Sequence, residues 1–263
     1  VVGCAALLAL FFAPSRLAAG QTIAPAEAAA YFVQALDAEP RTMELQLAVR
    51  TPRGENFAAI DADSAFVRHR LTPLREGNRL LWRMEKEGGR TAVCDGGRQW
   101  MWSPDFSVCV TGAASAGFTE GFSLLLRPHD LLAAEREIAG SGEGIAYELQ
   151  EAGTEMRLTV RAPRQGEIRR GTGLDRTLGN SENTRTYVFD RDSGRLTEFR
   201  ITIRREGREV EVARAEAVRY NVPVDRALLL ALPALPPLSD GGKREWIDVE
   251  ATDSEGIAPH RTA

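Results

Sequence analysis

Apolar and polar residues alternate along most of the chain after its first forty residues. Met43, Leu45, Leu47 and Val49 alternate with more polar neighbours, and a period of two predicts a strand with one apolar face. The same alternation returns at Leu80, Trp82 and Met84 and recurs as far as residue 220. Short turn signals separate these segments, so the pattern predicts an antiparallel meander rather than alternating strands and helices. The other predicted strands are Phe57 to Ile60, Ala65 to Leu71, Ile145 to Gln150, Met156 to Ala162, Thr186 to Asp190, Leu196 to Arg204 and Glu209 to Tyr220.

Two segments have a helical pattern instead. Pro25 to Ala38 predicts an amphipathic helix, with a proline at its start and Tyr31, Phe32, Ala35 and Leu36 on its packing side. Thr119 to Ile138 is also helical in composition, but Pro128 lies inside it and is expected to divide it into two short helices.

The segment from Thr91 to Val110 is the most informative part of the chain. Two turn signals, at Asp95-Gly96-Gly97 and Ser103-Pro104-Asp105, enclose a strand that carries Trp100 and Trp102. Residues two apart in a strand share a face, so both indoles are expected to point the same way. Rings of this size either fill a core or line an apolar pocket.

Composition narrows the class of protein. The chain has 263 residues, of which 43% are hydrophobic and 27% charged, as in an ordinary globular protein. Its net charge of -4 disfavours a nucleic-acid partner. No internal repeat or boundary interrupts Gln21 to Pro237, so a single domain over 21–238 is predicted, followed by a polar, flexible tail over 239–263.

The first twenty residues resemble the end of a secretory signal. An apolar run from Val1 to Ala13 leads to the small residues Ala18-Ala19-Gly20, which a signal peptidase accepts. We therefore expect a signal peptide over 1–20 and export of the protein. A lipid-modified Cys4 is the alternative, but its apolar segment would have to precede the cysteine, and here that segment follows it.

Two cysteines, Cys94 and Cys109, remain after the expected signal peptide. An oxidising compartment suggests a disulfide between them. A tight hairpin at Asp95, however, would place Cys94 opposite Gln99 and Cys109 opposite Trp100 or Met101. The two sulfurs would then be about 10 Å apart, beyond disulfide reach. Free thiols are expected, and the bridge stays open as the alternative.

The sequence contains no recognisable catalytic motif. His69, His129 and His260 lie far apart along the chain, and no nucleophile elbow, zinc-binding helix, paired-cysteine motif or phosphate-binding glycine loop occurs. Asp190 and Asp192 could be metal ligands, but the segment Asp-Arg-Asp-Ser-Gly is typical of a hairpin turn. We therefore expect no enzymatic activity, no metal and no cofactor.

The Trp100 segment also resembles a known family. Asp95-Gly-Gly-Arg-Gln-Trp-Met-Trp-Ser-Pro104 is similar to the Asp-Gly-x-x-x-Trp-x-Tyr-x-Pro signature of the periplasmic lipoprotein carrier LolA and its relatives. Leu80 to Glu85 resembles the strand that precedes this signature, and Phe122 to Leu132 occupies the position of the family's lid helices. Tyr220 to Asp225, followed by an apolar stretch, is like the family's ending.

This resemblance implies a periplasmic, non-enzymatic carrier with an α+β, mainly β fold. The fold would be an incomplete antiparallel β-barrel, or half-barrel, with an N-terminal helix and a helical lid. Its apolar cavity would hold the acyl chains of a lipoprotein or lipid for transfer to the outer membrane. An inner-membrane releasing complex and an outer-membrane receptor would be its partners, and the carrier would be a monomer.

The residues implied in these roles come from the apolar strand faces and from the helical segment. We expect these faces to converge on one side of the sheet. The predicted cavity residues are Leu45, Leu47, Leu80, Trp82, Met84, Val93, Trp100 and Trp102. The predicted lid residues are Phe122, Leu125, Leu126, Leu131 and Leu132, and Arg75 is the nearest match to the family's basic residue of the closed state. A second hypothesis on the same fold is a regulator similar to RseB, which binds an anti-sigma factor in response to envelope stress.

Overall fold

A computed structural model describes residues 20–38, 40–51, 64–114, 128–141, 144–165, 178–238 and 241–248. Over these residues the protein is mainly β, with one sheet of thirteen strands and three helices that lie wholly within the described ranges. The helices are α1 (Pro25–Asp37), α2 (Pro128–Ser141) and α3 (Arg226–Leu230). The strands are β1 (Gln21–Ile23), β2 (Met43–Thr51), β3 (Ala65–Glu76), β4 (Arg79–Lys86), β5 (Thr91–Cys94), β6 (Arg98–Trp102), β7 (Val108–Ala113), β8 (Ala146–Ala152), β9 (Glu155–Ala162), β10 (Glu182–Asp190), β11 (Leu196–Arg205), β12 (Arg208–Tyr220) and β13 (Glu245–Asp248).

The sheet is open. Its strand order is β1-β8-β9-β10-β11-β12-β2-β3-β4-β5-β6-β7-β13, and within the described residues the two edge strands, β1 and β13, do not pair with each other. Neighbouring strands are antiparallel except β7 and β13, which are parallel. The predicted mainly β fold is therefore confirmed, with a sheet that is mixed rather than wholly antiparallel.

Turn residues explain why the strands follow each other so closely. In the hairpin between β5 and β6, the Asp95 carboxylate accepts hydrogen bonds from the backbone N–H of Gly97 at 2.8 Å and of Arg98 at 2.7 Å. Gly96 has φ of 84°, a left-handed conformation that glycine adopts without strain. A Cβ there would also meet the Arg79 side chain at 3.0 Å. The Asp-Gly part of the family-like signature thus has a local structural role.

Helix α1 matches its prediction closely. It begins at Pro25, where the missing N–H breaks no helical hydrogen bond, and it buries Ala28, Phe32 and Ala35. Tyr31 and Leu36 pack at the edge of the same core. Helix α2 packs against α1 and begins at Pro128, so the proline marks a helix start. The residues that precede it lie outside the described ranges.

Both faces of the sheet are covered in its β3–β6 half. One face, called the inner face here, belongs to the main core together with α1 and α2. On the opposite, outer face, Leu229 of α3 packs with Leu74 and Leu81. Asp225 caps α3 by accepting hydrogen bonds from the backbone N–H of Ala227 and Leu228.

The sequence reasoning missed strands β1 and β13. Residues 239–263 were expected to form a flexible tail, but Glu245–Asp248 pairs with β7 and extends the sheet. Arg98 of β6 donates a hydrogen bond to the Asp248 carboxylate, which holds this strand in place. The strand is only four residues long, and its two apolar residues, Trp246 and Ile247, are adjacent rather than alternating, so its pattern carried no signal. The predicted strand Phe57 to Ile60 lies outside the described residues.

Candidate functional site

The inner face of β2–β6 carries a continuous set of apolar side chains. Residues directly opposite each other in antiparallel strands share a face. Leu45 pairs with Leu71, Leu71 with Met84, Met84 with Ala92, and Ala92 with Met101, so one apolar row crosses five strands. We call this surface the inner wall. Its members are Leu45, Leu47, Leu71, Leu80, Trp82, Met84, Ala92, Cys94 and Met101, and all belong to or pack against the main core.

The predicted cavity residues divide between the two faces of the sheet. Leu45, Leu47, Leu80, Trp82 and Met84 lie on the inner wall as expected. The other three predicted residues lie on the outer face, so the expectation that all eight converge on one side is wrong. Those outer-face residues are Val93, Trp100 and Trp102.

Strand register gives the physical reason for this division. Met84 lies opposite Ala92, which places Val93 opposite Arg83 and therefore on the outer face. Val93 in turn pairs with Trp100, so both signature tryptophans follow it. Trp102 is fully buried there with Cys109, and Trp100 packs at the edge of the same outer cluster. This cluster includes Leu230 of α3, so the two indoles attach the C-terminal segment to the sheet.

The remaining predicted site residues have separate positions. Leu131 and Leu132 of the lid are buried in the main core. Phe122, Leu125 and Leu126 lie outside the described residues. Arg75 pairs with Leu80 and shares its face, at the end of the inner wall.

Cys94 and Cys109 are both buried, and neither forms a disulfide bond within the described residues. Cys94 lies opposite Gln99 as predicted, whereas Cys109 lies opposite Trp102 rather than Trp100 or Met101. Their side chains belong to the clusters on opposite faces of the sheet. The structure therefore has no bridge between them. Burial raises the pKa of the Cys109 thiol to about 11, which keeps it protonated and unreactive at neutral pH.

Two groups of polar side chains interrupt the apolar inner face. The first, which we call the paired cluster, is formed by Glu135 of α2 and by Asn183, Arg185 and Tyr187 of β10. Arg185 donates to both carboxylate oxygens of Glu135, with 3.0 Å between Nη2 and Oε2. The Tyr187 hydroxyl donates to Glu135 Oε1 at 2.6 Å. The Arg185 guanidinium also donates to the amide oxygen of Asn183. The charged groups of Arg185 and Glu135 therefore both have hydrogen-bond partners.

The paired cluster is deeply buried. The side chains of Arg185 and Glu135 are only 8% and 2% exposed. Burial alone would lower the pKa of Arg185, but attraction to the Glu135 carboxylate raises it above its ordinary value. Burial and the same carboxylate raise the pKa of Tyr187 far above its usual range. Both groups keep their protons at all ordinary pH values, so the cluster is a fixed link between α2 and the sheet.

The second group, which we call the basic row, consists of His69 on β3, Lys86 on β4 and Arg90 next to β5. His69 lies directly opposite Lys86, and the Lys86 backbone N–H donates to the Arg90 carbonyl at 2.8 Å across the Gly88-Gly89 turn. His69 is 8% exposed, and neither of its ring nitrogens has a hydrogen-bond partner among the described residues. Lys86 and Arg90 are half-buried, and among the described residues no carboxylate pairs with either of them.

Burial without a counter-charge shifts the titration of the whole basic row. Burial, together with the nearby Lys86 and Arg90 charges, lowers the pKa of His69 to about 3. Burial and Arg90 lower the pKa of Lys86 to about 8. Burial lowers the pKa of Arg90 as well. At neutral pH the row therefore presents two positive charges and one neutral imidazole.

The sequence alone assigned no functional role to His69 or to Lys86. The sequence did indicate that Lys86 faces inward, because it continues the alternation of Leu80, Trp82 and Met84 by two residues. Only the strand register brings it next to His69.

Other kinds of site find no support in the described part of the chain. No group of three or more His, Cys, Asp or Glu side chains there could hold a metal ion. Within the same ranges, none of the helices is long and apolar enough to cross a membrane.

Comparison with known proteins gives no family. No family model matches the chain, and no curated protein matches it. The crystal structure of Rv2717c from M. tuberculosis is similar, with 12% sequence identity and a TM-score of 0.25. That match covers 73% of this chain and 98% of the other. A TM-score this low carries no conclusion about fold or function.

Proposed function

We propose that this protein is a non-enzymatic, exported carrier that holds an acyl chain of a lipid or lipoprotein against the inner wall. The observation that supports this most is the apolar row from Leu45 to Met101, which crosses five neighbouring strands of an open sheet. A methylene buried against such a surface contributes about 0.8 kcal/mol, so a long chain could bind well after its ordering cost.

The positions of the helices favour the same proposal. The Glu135 carboxylate joins α2 to β10, and Phe32 of α1 packs on Tyr187 and Phe189 with ring centroids 5.5 and 6.4 Å apart. Strand β10 is five places from β4 in the sheet order. These contacts of α1 and α2 are therefore made to a strand distant from β4, which carries Trp82 and Met84, whereas α3 packs on the outer face. In the proposal the guest reaches the inner wall by displacing what covers it, because Trp82 and Met84 are only 4% and 1% exposed.

Helix α2 acts in this proposal as a fixed wall rather than a moving lid. Moving it would break a buried ion pair, which costs several kcal/mol. The LolA-like half-barrel, the periplasmic location and the transfer partners on both membranes are parts of the same proposal, and they rest on the signature around Trp100.

Tryptophan fluorescence can test where an acyl chain binds. The chain has four tryptophans, and Trp82 and Trp100 lie on opposite faces of neighbouring parts of the sheet. A neutral brominated monoacylglycerol, used below its critical micelle concentration, should quench the fluorescence of the protein. Trp82→Phe should remove most of this quenching, because the bromines contact the inner wall.

The matched control is Trp100→Phe, which removes an indole from the outer face and should leave the quenching intact. Circular dichroism would verify that both variants are folded. Failure of the probe to bind, or equal quenching of both variants, would refute the proposal. Native mass spectrometry of protein purified without detergent should also find lipid or lipoprotein adducts.

A further inference from the structure

Two cationic side chains and a neutral imidazole lie together on the inner face, and among the described residues no carboxylate pairs with them. We infer that the basic row, His69, Lys86 and Arg90, is a binding site for the anionic headgroup, a carboxylate or a phosphate, of an amphiphile whose chain lies on the inner wall. The position of the chain on the inner wall rests on the proposed function, whereas the anion site itself does not.

The burial of His69 is the first reason. Its two ring nitrogens are enclosed at 8% exposure, and neither has a hydrogen-bond partner within the described part of the chain. A buried polar group without a partner is costly, and native structures satisfy almost all such groups. A neutral imidazole keeps one N–H that can donate to an oxygen of a guest. An oxyanion in the basic row would supply that acceptor.

The missing counter-charge is the second reason. Elsewhere on the sheet, arginines pair with carboxylates even where they are exposed, as Arg70 does with Glu44 and Arg161 with Glu148. Lys86 and Arg90 are less exposed than these arginines, yet they pair with no carboxylate among the described residues. Unpaired charges out of water are stabilised by an ion that binds between them.

The donor set suits one class of ligand. A guanidinium presents a planar pair of donors that matches the oxygens of a carboxylate or phosphate, and an ammonium adds a compact positive charge. The imidazole N–H supplies a further donor. His69 lies directly opposite Lys86, and Lys86 is hydrogen-bonded through its backbone to Arg90. The three residues therefore form one line across β3, β4 and the start of β5.

The position of the row indicates that the anion is attached to an apolar chain. Leu47 lies directly opposite His69. The apolar residues Leu71, Met84 and Ala92 of the inner wall come next along the same face. Trp82 lies four residues from Lys86 along β4, about 13 Å away. A headgroup at Lys86 would therefore place its chain along the inner wall.

The turn beside the row gives access from solvent. Gly88 and Gly89 are exposed, and a Cβ added at Gly88 would meet no atom within 4 Å. Both glycines have positive φ, at 92° and 95°, so the strands can reverse tightly there without strain. The headgroup would lie at this open end of the face.

Binding of matched ligands provides the test. Dodecanoate and dodecyl phosphate carry an anionic headgroup, and dodecanol is a neutral ligand with a chain of the same length. The wild-type protein should bind the anionic ligands about tenfold or more tightly than dodecanol, as measured by isothermal titration calorimetry. The double variant Lys86→Met, Arg90→Met should lose this preference and keep its affinity for dodecanol.

Lys243→Met is the matched control, because Lys86 and Lys243 are the chain's two lysines and Lys243 is exposed. It should keep the full preference for the anionic ligands. Substitution of Lys86 and Arg90 removes two buried charges of the same sign, so the double variant is expected to fold. Equal affinity of the wild-type protein for dodecanoate, dodecyl phosphate and dodecanol would overturn the inference.

Chemical labelling separates the anion site from the acyl-binding function. Acetic anhydride modifies both lysines, and mass spectrometry of the peptides reports each rate. Dodecyl phosphate should protect Lys86 several-fold and leave Lys243 unaffected. If no amphiphile binds but inorganic phosphate alone protects Lys86, the carrier function fails and the site is one for a free anion. If neither protects Lys86, the anion site is refuted.

Discussion

The two polar groups of the inner face differ in where their charges come from. The paired cluster joins a carboxylate on helix α2 to a guanidinium on β10, so each ion has a partner of opposite sign. The basic row takes all three of its members from neighbouring strand positions, and all three are basic. Burial therefore has opposite consequences. In the first group it strengthens an internal link, and in the second it leaves charges that favour an external anion.

The comparison separates structural from functional use of buried charge. Replacing one member of a satisfied pair should weaken the fold, because its partner is left buried and alone. Replacing one member of an unsatisfied row should strengthen the fold, because a buried charge is removed. The sign of the stability change is thus the most direct way to distinguish the two groups.

The largest effect is expected at Glu135. Glu135→Gln keeps the shape of the side chain but leaves Arg185 buried without a counter-charge. We expect the free energy of unfolding to fall by about 3–5 kcal/mol, as measured by urea denaturation at pH 7. Glu137→Gln on the same helix is the control, and it should change stability little because its side chain is 76% exposed.

A double variant sharpens this prediction. Glu135→Leu combined with Arg185→Met removes both charges and should destabilise the protein much less than Glu135→Gln alone. If Glu135→Gln unfolds at the same urea concentration as the wild-type protein, the paired cluster does not hold α2 to the sheet.

The next effect is expected at Lys86, with the opposite sign. Burial and Arg90 lower the pKa of Lys86 from 10.5 to about 8, so at pH 7 the folded protein carries a disfavoured charge. Lys86→Met should therefore raise the free energy of unfolding by on the order of 2 kcal/mol at pH 7. The gain should shrink as the pH rises from about 8 to 10.5, because the wild-type lysine then becomes neutral in both states.

Urea denaturation at pH 7 and pH 10 would measure this gain, with Lys243→Met as the matched control. The control should be unchanged at both pH values. A stability loss on Lys86→Met at pH 7 would mean that Lys86 has an internal partner, and the contrast with the paired cluster would disappear.

At pH 7 the smallest effect is expected at His69, and this effect grows as the pH falls. Its pKa is lowered to about 3 in the folded protein, against 6.5 ordinarily. Between these values the unfolded chain binds a proton that the folded protein does not, so stability is lost as the pH falls through this window. The variant His69→Leu has no imidazole to protonate, so it should not lose stability for this reason. Relative to the variant, the wild-type protein should lose about 2 kcal/mol between pH 7 and pH 5.

Urea denaturation of both proteins at the two pH values would measure this difference. His129 and His260 are present in both proteins, so their titration cancels in the comparison. Parallel loss of stability in the two proteins would show that His69 takes up a proton without cost in the folded state.

Much of the fold could be predicted because alternation is a local signal. The strand at Met43 to Val49 has one buried apolar face and more polar residues between, and it is found where the pattern indicates. Helix α1 and the turns at Asp95-Gly96, Ser193-Gly194 and Glu206-Gly207 also follow from local chemistry. Each depends on residues that are close together in the sequence.

The division of the predicted cavity residues shows where that signal ends. All four residues of β5, Thr91 to Cys94, are buried, because the main core covers one face and the outer cluster covers the other. A strand that is apolar on both sides does not reveal which residues face which way. The same is true of Trp100, Met101 and Trp102 on β6.

The sequence by itself determined the mainly β class, where most strands lie along the chain and the positions of their turns. These features depend on the period of the side chains and on turn chemistry. Only the tertiary structure decided which face each strand presents, since a shift of one residue in register reverses every side chain. That decision placed Trp100 and Trp102 outside and brought His69, Lys86 and Arg90 together inside. The stretch around Trp100 therefore attaches the C-terminal segment to the sheet, and the charges that mark the candidate site lie on the opposite face.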